Sequence, residues 1–182
     1  MFELKSTHLT GCFELQPKAI EDTRGRFVKV FHCQAFAAHG LETNFAEEYY
    51  SVSNKNVIRG MHFQLPPFDH VKLVYCVQGS VMDVVVDLRV GSPTYGKSAV
   101  VELSAAKANS IYIPEGMAHG FCSLCEQTVM VYKVTTVYAS EQDTGILWNS
   151  FGVTWPTTQA ILSARDQTFE PLDQFVSPFR YA

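Results

Sequence analysis

Between Val57 and Lys133 the chain is a succession of short apolar runs: VIRGMHFQLPP, HVKLVYCVQGSVMDVVVDLRVGSPTYGK, NSIYIPEGMAHGFCSL and TVMVYK. Glycine, serine and proline fall between them. β-branched and aromatic runs at short, regular spacing, with few helical patterns, predict an all-β double sheet. Several runs are apolar at consecutive positions, so both faces of those strands must be covered, as in a sandwich or barrel interior. Into this background are set single polar residues: His62, Lys72, His119, Tyr132 and Lys133. Charged side chains are rarely buried without a partner or a task. Polar groups scattered over several apolar strands therefore read as the lining of one pocket.

The flanking segments are weaker in pattern. FELKSTHL and GCFELQ read as edge strands, and Asp22, Thr23 and Gly25 as a turn leading into a strand. Gln34 to Gly40 predicts a short helix with Gly40 beyond its end. Phe45 to Ser53 reads as a strand. Gly79-Ser80, between VKLVYCVQ and VMDVVVDLR, reads as the turn of a tight hairpin. After Trp155-Pro156, TTQAILSARD predicts a helical turn or two before an extended tail. No linker or repeat breaks the chain, and 182 residues fit one domain over 1–182.

Composition excludes some functions. A formal charge of −4 without a basic run argues against nucleic acid. No apolar run reaches the roughly 18 residues of a membrane span, and Met1 is not followed by a signal-peptide pattern. Five scattered cysteines, an odd number, suit reduced thiols in a cytoplasm. Cys122 and Cys125 form a lone CxxC with no second pair, better read as buried thiols than as a zinc site.

Each candidate has a bland reading beside the functional one. A histidine such as His62 at a strand start is often structural, but Arg59-Gly60 before it and Gln64 after it suggest a base beside a close backbone approach. Lys72 is either an edge-strand guard or a fixed charge for an oxyanion inside a barrel. Tyr132 alone is more often core, with its hydroxyl at the rim. Asp166 in LSARD is a turn charge unless the tail returns to His62. IPEGMAHGF matches the second cupin motif, P-x-G-x-x-H, but the first cupin motif offers only His62 where a histidine pair is needed. One imidazole from each side is a poor metal site, so no metal is expected.

NKNVIRGMHFQ, KLVYCVQGSVMDVVVDLRVGSPTYGK, VELSA, IYIPEGMAHGF, YK and LSARD together resemble the dTDP-4-dehydrorhamnose 3,5-epimerase family, from about Pro17 to Asp173. The resemblance implies a cupin-like jelly roll (double-stranded β-helix) with a few short helices, a homodimer, no metal and no cofactor. Its implied substrate is a nucleotide-diphospho-4-keto-6-deoxyhexose, with no nucleic-acid or membrane partner. It makes His62 the base, Asp166 its orienting partner, Tyr132 the acid on the opposite face and Lys72 the group that holds the enolate oxygen. Arg59 and His119 match substrate-binding positions, Arg24 a diphosphate-binding arginine, and Tyr138 an aromatic that stacks on the nucleotide base. Phe27, just beyond the same D-x-R-G turn, is counted with them as substrate-binding. Asp143 and Arg165 stand where the family usually has Glu and Lys. Departures gather at nucleotide-facing positions: Glu47-Glu48-Tyr49 for Gln-Asp-Asn, Lys29 for Glu, Ile20 for Phe. They leave open the nucleotide, with CDP beside dTDP, and whether C3, C5 or both invert. A cupin ketoisomerase of the same substrates and an inactive sugar-nucleotide-binding cupin are the alternatives.

Overall fold

The structure, a computed structural model, describes residues 1–181. Its order is β1 (Phe2–Ser6), β2 (Phe13–Pro17), β3 (Ala19–Asp22), β4 (Gly25–Val28), α1 (Cys33–Ala37), β5 (Glu47–Ser53), β6 (Ile58–Gln64) and β7 (Lys72–Gln78). Then follow β8 (Ser80–Asp87), β9 (Ser98–Ser104), β10 (Ser110–Ile113), β11 (Met117–Ser123), β12 (Thr128–Val134) and β13 (Asp143–Gly145). One sheet runs β1-β2-β10-β7-β12-β5 and the other β13-β6-β11-β8-β9, with β3-β4 a separate hairpin. From β5 to β13 the chain passes back and forth between the two antiparallel sheets, β8 and β9 being the one successive pair within a sheet; this is the cupin-like jelly roll. α1 is the one α-helix among the described residues, and Gly40 follows it at φ 68°, as a helix-ending glycine should.

Three apolar layers account for the runs without alternation. Between the sheets lie Val74, Cys76, Ile111, Ile113 and Met130 from the first sheet and Val81, Val85, Leu103 and Phe121 from the second. The outer face of the second sheet, with Ile58, Phe63, Val84, Val86 and Cys122, is covered by Ile146, Trp155 and Phe179 from the C-terminal segment. Part of the outer face of the first sheet, with Leu15, Leu73 and Tyr112, is covered by Phe36 of α1 and Leu41. The rest of that face stays open: Tyr50, Val52 and Val77 are exposed.

Three local expectations are corrected. Gly79-Ser80 does not close a hairpin: β7 pairs with β10 and β12, and β8 with β9 and β11. The glycine turns the chain from one sheet to the other. At φ 81° it passes so close to Thr128 that a Cβ would lie 2.6 Å from the threonine hydroxyl oxygen. β2 is no edge strand, since β10 pairs with its far side. TTQAILSARD forms no helix. Ile161 bridges to Val57, and Ala160 and Leu162 pack under the second sheet. Tertiary packing overrides local helical preference there.

Candidate active site

A cavity of about 330 Å³ is lined by residues of both sheets. β7 is central in its sheet, which disposes of the edge reading of Lys72. Alternation sends Lys72 inward with Val74 and Cys76, and Lys72 is 5% exposed. β12 alongside turns Tyr132 inward between Met130 and Val134, all three buried. The facing sheet supplies the histidines. His62 of β6 and His119 of β11 are direct cross-strand partners, so their side chains share one face.

Arg59 also lines the cavity, although strict alternation would put it on the opposite face from His62. The register explains this: His119 pairs with His62 but Phe121 with Arg59, so β6 carries one extra residue. Such a bulge re-aims a side chain. It sits at Gly60, where φ is 142° and a Cβ would fall 2.6 Å from the Gly120 Cα. Only glycine permits that approach.

The tail does return to His62. Its Nε2 lies 2.8 Å from Asp166 Oδ1, and Asp166 Oδ2 accepts the Gly60 N–H at 3.2 Å. With Nε2–H donated to the carboxylate, Nδ1 is the basic nitrogen. Burial pushes the Asp166 carboxyl up, but the bonds from His62 and Gly60 outweigh it and hold it below the usual range. Phe169 meets the His62 ring edge-on at 5.9 Å.

On the other sheet, burial raises the Tyr132 hydroxyl far above its ordinary value, only partly offset by a bond with Ser51 at 3.2 Å. The phenol therefore keeps its proton, as an acid must. Lys72 donates to the His62 carbonyl oxygen at 3.1 Å. Burial pulls its amine down to about 8, while Asp143 and then Asp83 act to keep the proton on.

Glu47, Tyr49, Tyr138 and Asp143 line the same cavity. Tyr49 stacks on Tyr132, centroids 4.8 Å apart and planes at 14°. Glu47 accepts the Tyr138 N–H at 2.7 Å, and Arg165 pairs with Asp143 at 2.6 Å. Arg24, Phe27 and Lys29 are not brought to this cavity. Arg24 and Phe27 border a separate groove on the β3–β4 hairpin, Phe27 60% exposed, and Lys29 is exposed just beyond β4. Ser51, His70 and Asp83 escaped sequence reasoning, and Gln64 enters it only as a neighbour of His62. Ser51 holds the Tyr132 hydroxyl, and Gln64 ties Phe68 and Ala139 together at the cavity mouth. His70 lines the wall, and Asp83 binds His119. Asp83 carried the same signal as Lys72, a charge in an apolar run. Among the described residues no three His, Cys, Asp or Glu side chains cluster to hold a metal, all five cysteines are free, and no helix is long and apolar enough to cross a membrane.

The model of the dTDP-4-dehydrorhamnose 3,5-epimerase family matches residues 6–174. The chain belongs to that family. It is 41% identical over 176 residues to the dTDP-4-dehydrorhamnose 3,5-epimerase of Shigella flexneri, covering 93% of this chain and 97% of that one. The fold matches the Legionella pneumophila epimerase in complex with dTDP-4-keto-L-rhamnose at TM-score 0.95, with 31% identity and 100% of both chains covered. It matches the Bacillus anthracis enzyme with TDP and PPi bound at TM-score 0.91, with 34% identity, 94% of this chain and 99% of that one. The chain is thus an isomerase of the 4-keto-6-deoxysugar epimerase kind. Its histidine–aspartate pair and its tyrosine stand on opposite sheets of the family's fold.

Proposed function

We propose that this epimerase inverts C3 and C5 of a dTDP-linked 4-keto-6-deoxyglucose, with residues 1–182 acting as one domain. The observation that carries the reading is that His62 and Tyr132 face one cavity from opposed sheets, with Lys72 on the strand beside Tyr132. A 4-keto group acidifies the hydrogens on C3 and C5. His62 Nδ1 takes one as a proton, and the bonding pair moves into the ring to give an enolate. Asp166 steadies the imidazolium so formed. The negative charge develops on the C4 oxygen, where the Lys72 ammonium sits in a dry wall and is worth most. Tyr132 then gives its proton to the carbon from the other side, inverting the centre, and recovers one from solvent. Arg59 and His119 hold the sugar. Glu47, Tyr49, Tyr138, Asp143 and, through Asp143, Arg165 shape the mouth for the nucleotide.

Arg24, Phe27 and Lys29 act on this reading only in a homodimer, through the hairpin of a second copy. The exposed apolar strip at Tyr50, Val52 and Val77 supports such a pairing. Mixing His62→Ala chains with Arg24→Ala chains tests it: hybrid dimers should regain sites intact in both residues. No regained activity would refute the exchange.

The reaction is tested by incubating the protein with dTDP-4-keto-6-deoxyglucose in heavy water. Deuterium at C3 and C5 with inversion is expected. Deuterium at one carbon would make it a monoepimerase. Migration of the keto group to C3 would make it a ketoisomerase, and no incorporation would overturn the reading.

A further inference from the structure

Strand β8 places Asp83 between Val81 and Val85 in the layer between the sheets, with no exposed surface. Its Oδ2 lies 2.8 Å from His119 Nε2, and its Oδ1 has no hydrogen-bond partner. Lys72, whose charge acts on it, makes its hydrogen bond to the His62 carbonyl instead. Burial raises the Asp83 carboxyl, offset in part by His119 and then Lys72. Valine flanks it on both sides of its face, and a half-satisfied buried carboxylate stabilises a core less than another valine would. Packing therefore gives no reason for an acid at this position.

The geometry around it does. His119 pairs directly with His62 and lines the cavity, while Asp83 lies behind it. The Tyr132 ring meets His119 edge-on at 6.2 Å. One ring nitrogen of His119 is tied to the carboxylate, which leaves Nδ1 as the polar atom available to a bound sugar. The arrangement repeats that of its neighbour: His62 is tied through Nε2 to Asp166. Two carboxylate–histidine pairs thus stand side by side on one sheet, one supported from the tail and the other from β8.

We propose that Asp83 is a positioning residue for the epimerisation, holding His119 through Nε2–H so that Nδ1 is presented to a hydroxyl of the ketosugar. The inference rests on the proposed reaction and adds a residue to it. Asp83 touches no substrate; it acts through His119, fixing both the ring's orientation and its tautomer. Loss of such orientation costs up to about 10²-fold.

Three measurements test it. Nitrogen-15 spectra of the wild-type protein should show His119 protonated on Nε2; a neutral ring protonated on Nδ1 would overturn the proposal without any variant. Asp83→Asn should lower kcat about ten- to hundredfold with KM changed less than about threefold, and its His119 signals should shift toward mixed tautomers. Should that variant fail to fold, Asp83→Leu, which fills the same apolar space, takes its place with the same expectation. In a cycle with His119→Ala, the double variant should be no worse than His119→Ala alone; multiplying losses would show that Asp83 acts elsewhere. Unchanged kcat in a folded Asp83 variant would also refute it. Failure of the wild type to exchange deuterium into the sugar would refute the proposed reaction instead, and the spectra would still report the tautomer.

Discussion

β8 carries two fully buried carboxylates, Asp83 and Asp87, with opposite surroundings. Asp87 is saturated. Its oxygens accept the Arg89 N–H at 3.0 Å, the Arg89 side chain at 2.9 and 2.8 Å, and the hydroxyls of Ser92 at 2.6 Å and Thr94 at 2.7 Å. Burial would raise its carboxyl, but bonds from Arg89, Ser92 and Thr94 hold it low. Asp83 has one partner, an orphan oxygen and a raised carboxyl. Asp87 closes a loop; Asp83 stands behind a cavity. A buried polar group with every bond made holds structure together, whereas one left short of partners is where a ligand or a reaction completes the set. Lys72, with one hydrogen bond for its three N–H donors, belongs to the second kind.

The contrast breaks if substitutions in the cavity act through stability, or substitutions around Asp87 through activity. The largest effect is expected at His62. His62→Ala should abolish solvent-deuterium exchange at both carbons, a loss of at least 10²–10⁴-fold, roughly what a general base contributes. Thermal denaturation should move little. Near wild-type exchange at either carbon would remove His62 from the base role.

Asp87→Ala should do the reverse. It strips a buried arginine of its counter-ion, which costs about 3–5 kcal/mol of unfolding free energy. Urea titration would read that loss, while kcat per folded molecule stays as in the wild type. An unshifted midpoint would mean the saturated cluster is not structural.

Lys72 sharpens the same contrast through pH. Its amine is pulled down to about 8, so it loses its proton as pH rises through that value. A reaction that needs the ammonium should then slow by about tenfold per unit above the limb. The limb should vanish in Lys72→Arg, whose charge does not titrate in this range. A flat profile to pH 10 for the wild type would mean the lysine charge is not used.

The smallest expected effect lies outside both regions, at Lys29. A lysine there offers a donor to the bare N3 of cytosine, where a carboxylate would accept the N3–H of thymine. Lys29→Glu should move the ratio of dTDP- to CDP-linked turnover toward dTDP by about ten- to a hundredfold, the worth of one charged hydrogen bond. A ratio unmoved by the change would show that Lys29 reads no base.

How far the sequence revealed this arrangement depended on the range of the interactions involved. Lys72 among valine and leucine was legible because burial of a charge is a local anomaly. Asp83 in VMDVVVD showed the same anomaly, yet its meaning depends on His119, far along the chain and diagonal to it across two strands. The co-facing of Arg59 and His62 needs an extra residue in β6, which a count of alternation cannot contain. Gly79-Ser80 reads as a hairpin because a two-residue glycine turn is local, whereas the choice to cross to the other sheet is made by the apolar layers that β7 and β8 must each fill. Only resemblance points to Arg24, Phe27 and Lys29, and no pairing within the chain carries their hairpin to the cavity.

In the proposed reaction base and acid act from opposite sheets, and Tyr132→Phe addresses that directly. Solvent-deuterium exchange and inversion are followed together by NMR on dTDP-4-keto-6-deoxyglucose in heavy water. The Phe ring keeps the stack on Tyr49 and removes only the proton donor. With His62, Asp166 and Lys72 intact, exchange with retained configuration should outlast inversion. Equal loss of exchange and inversion in a correctly folded variant would contradict the assignment of Tyr132 as the acid.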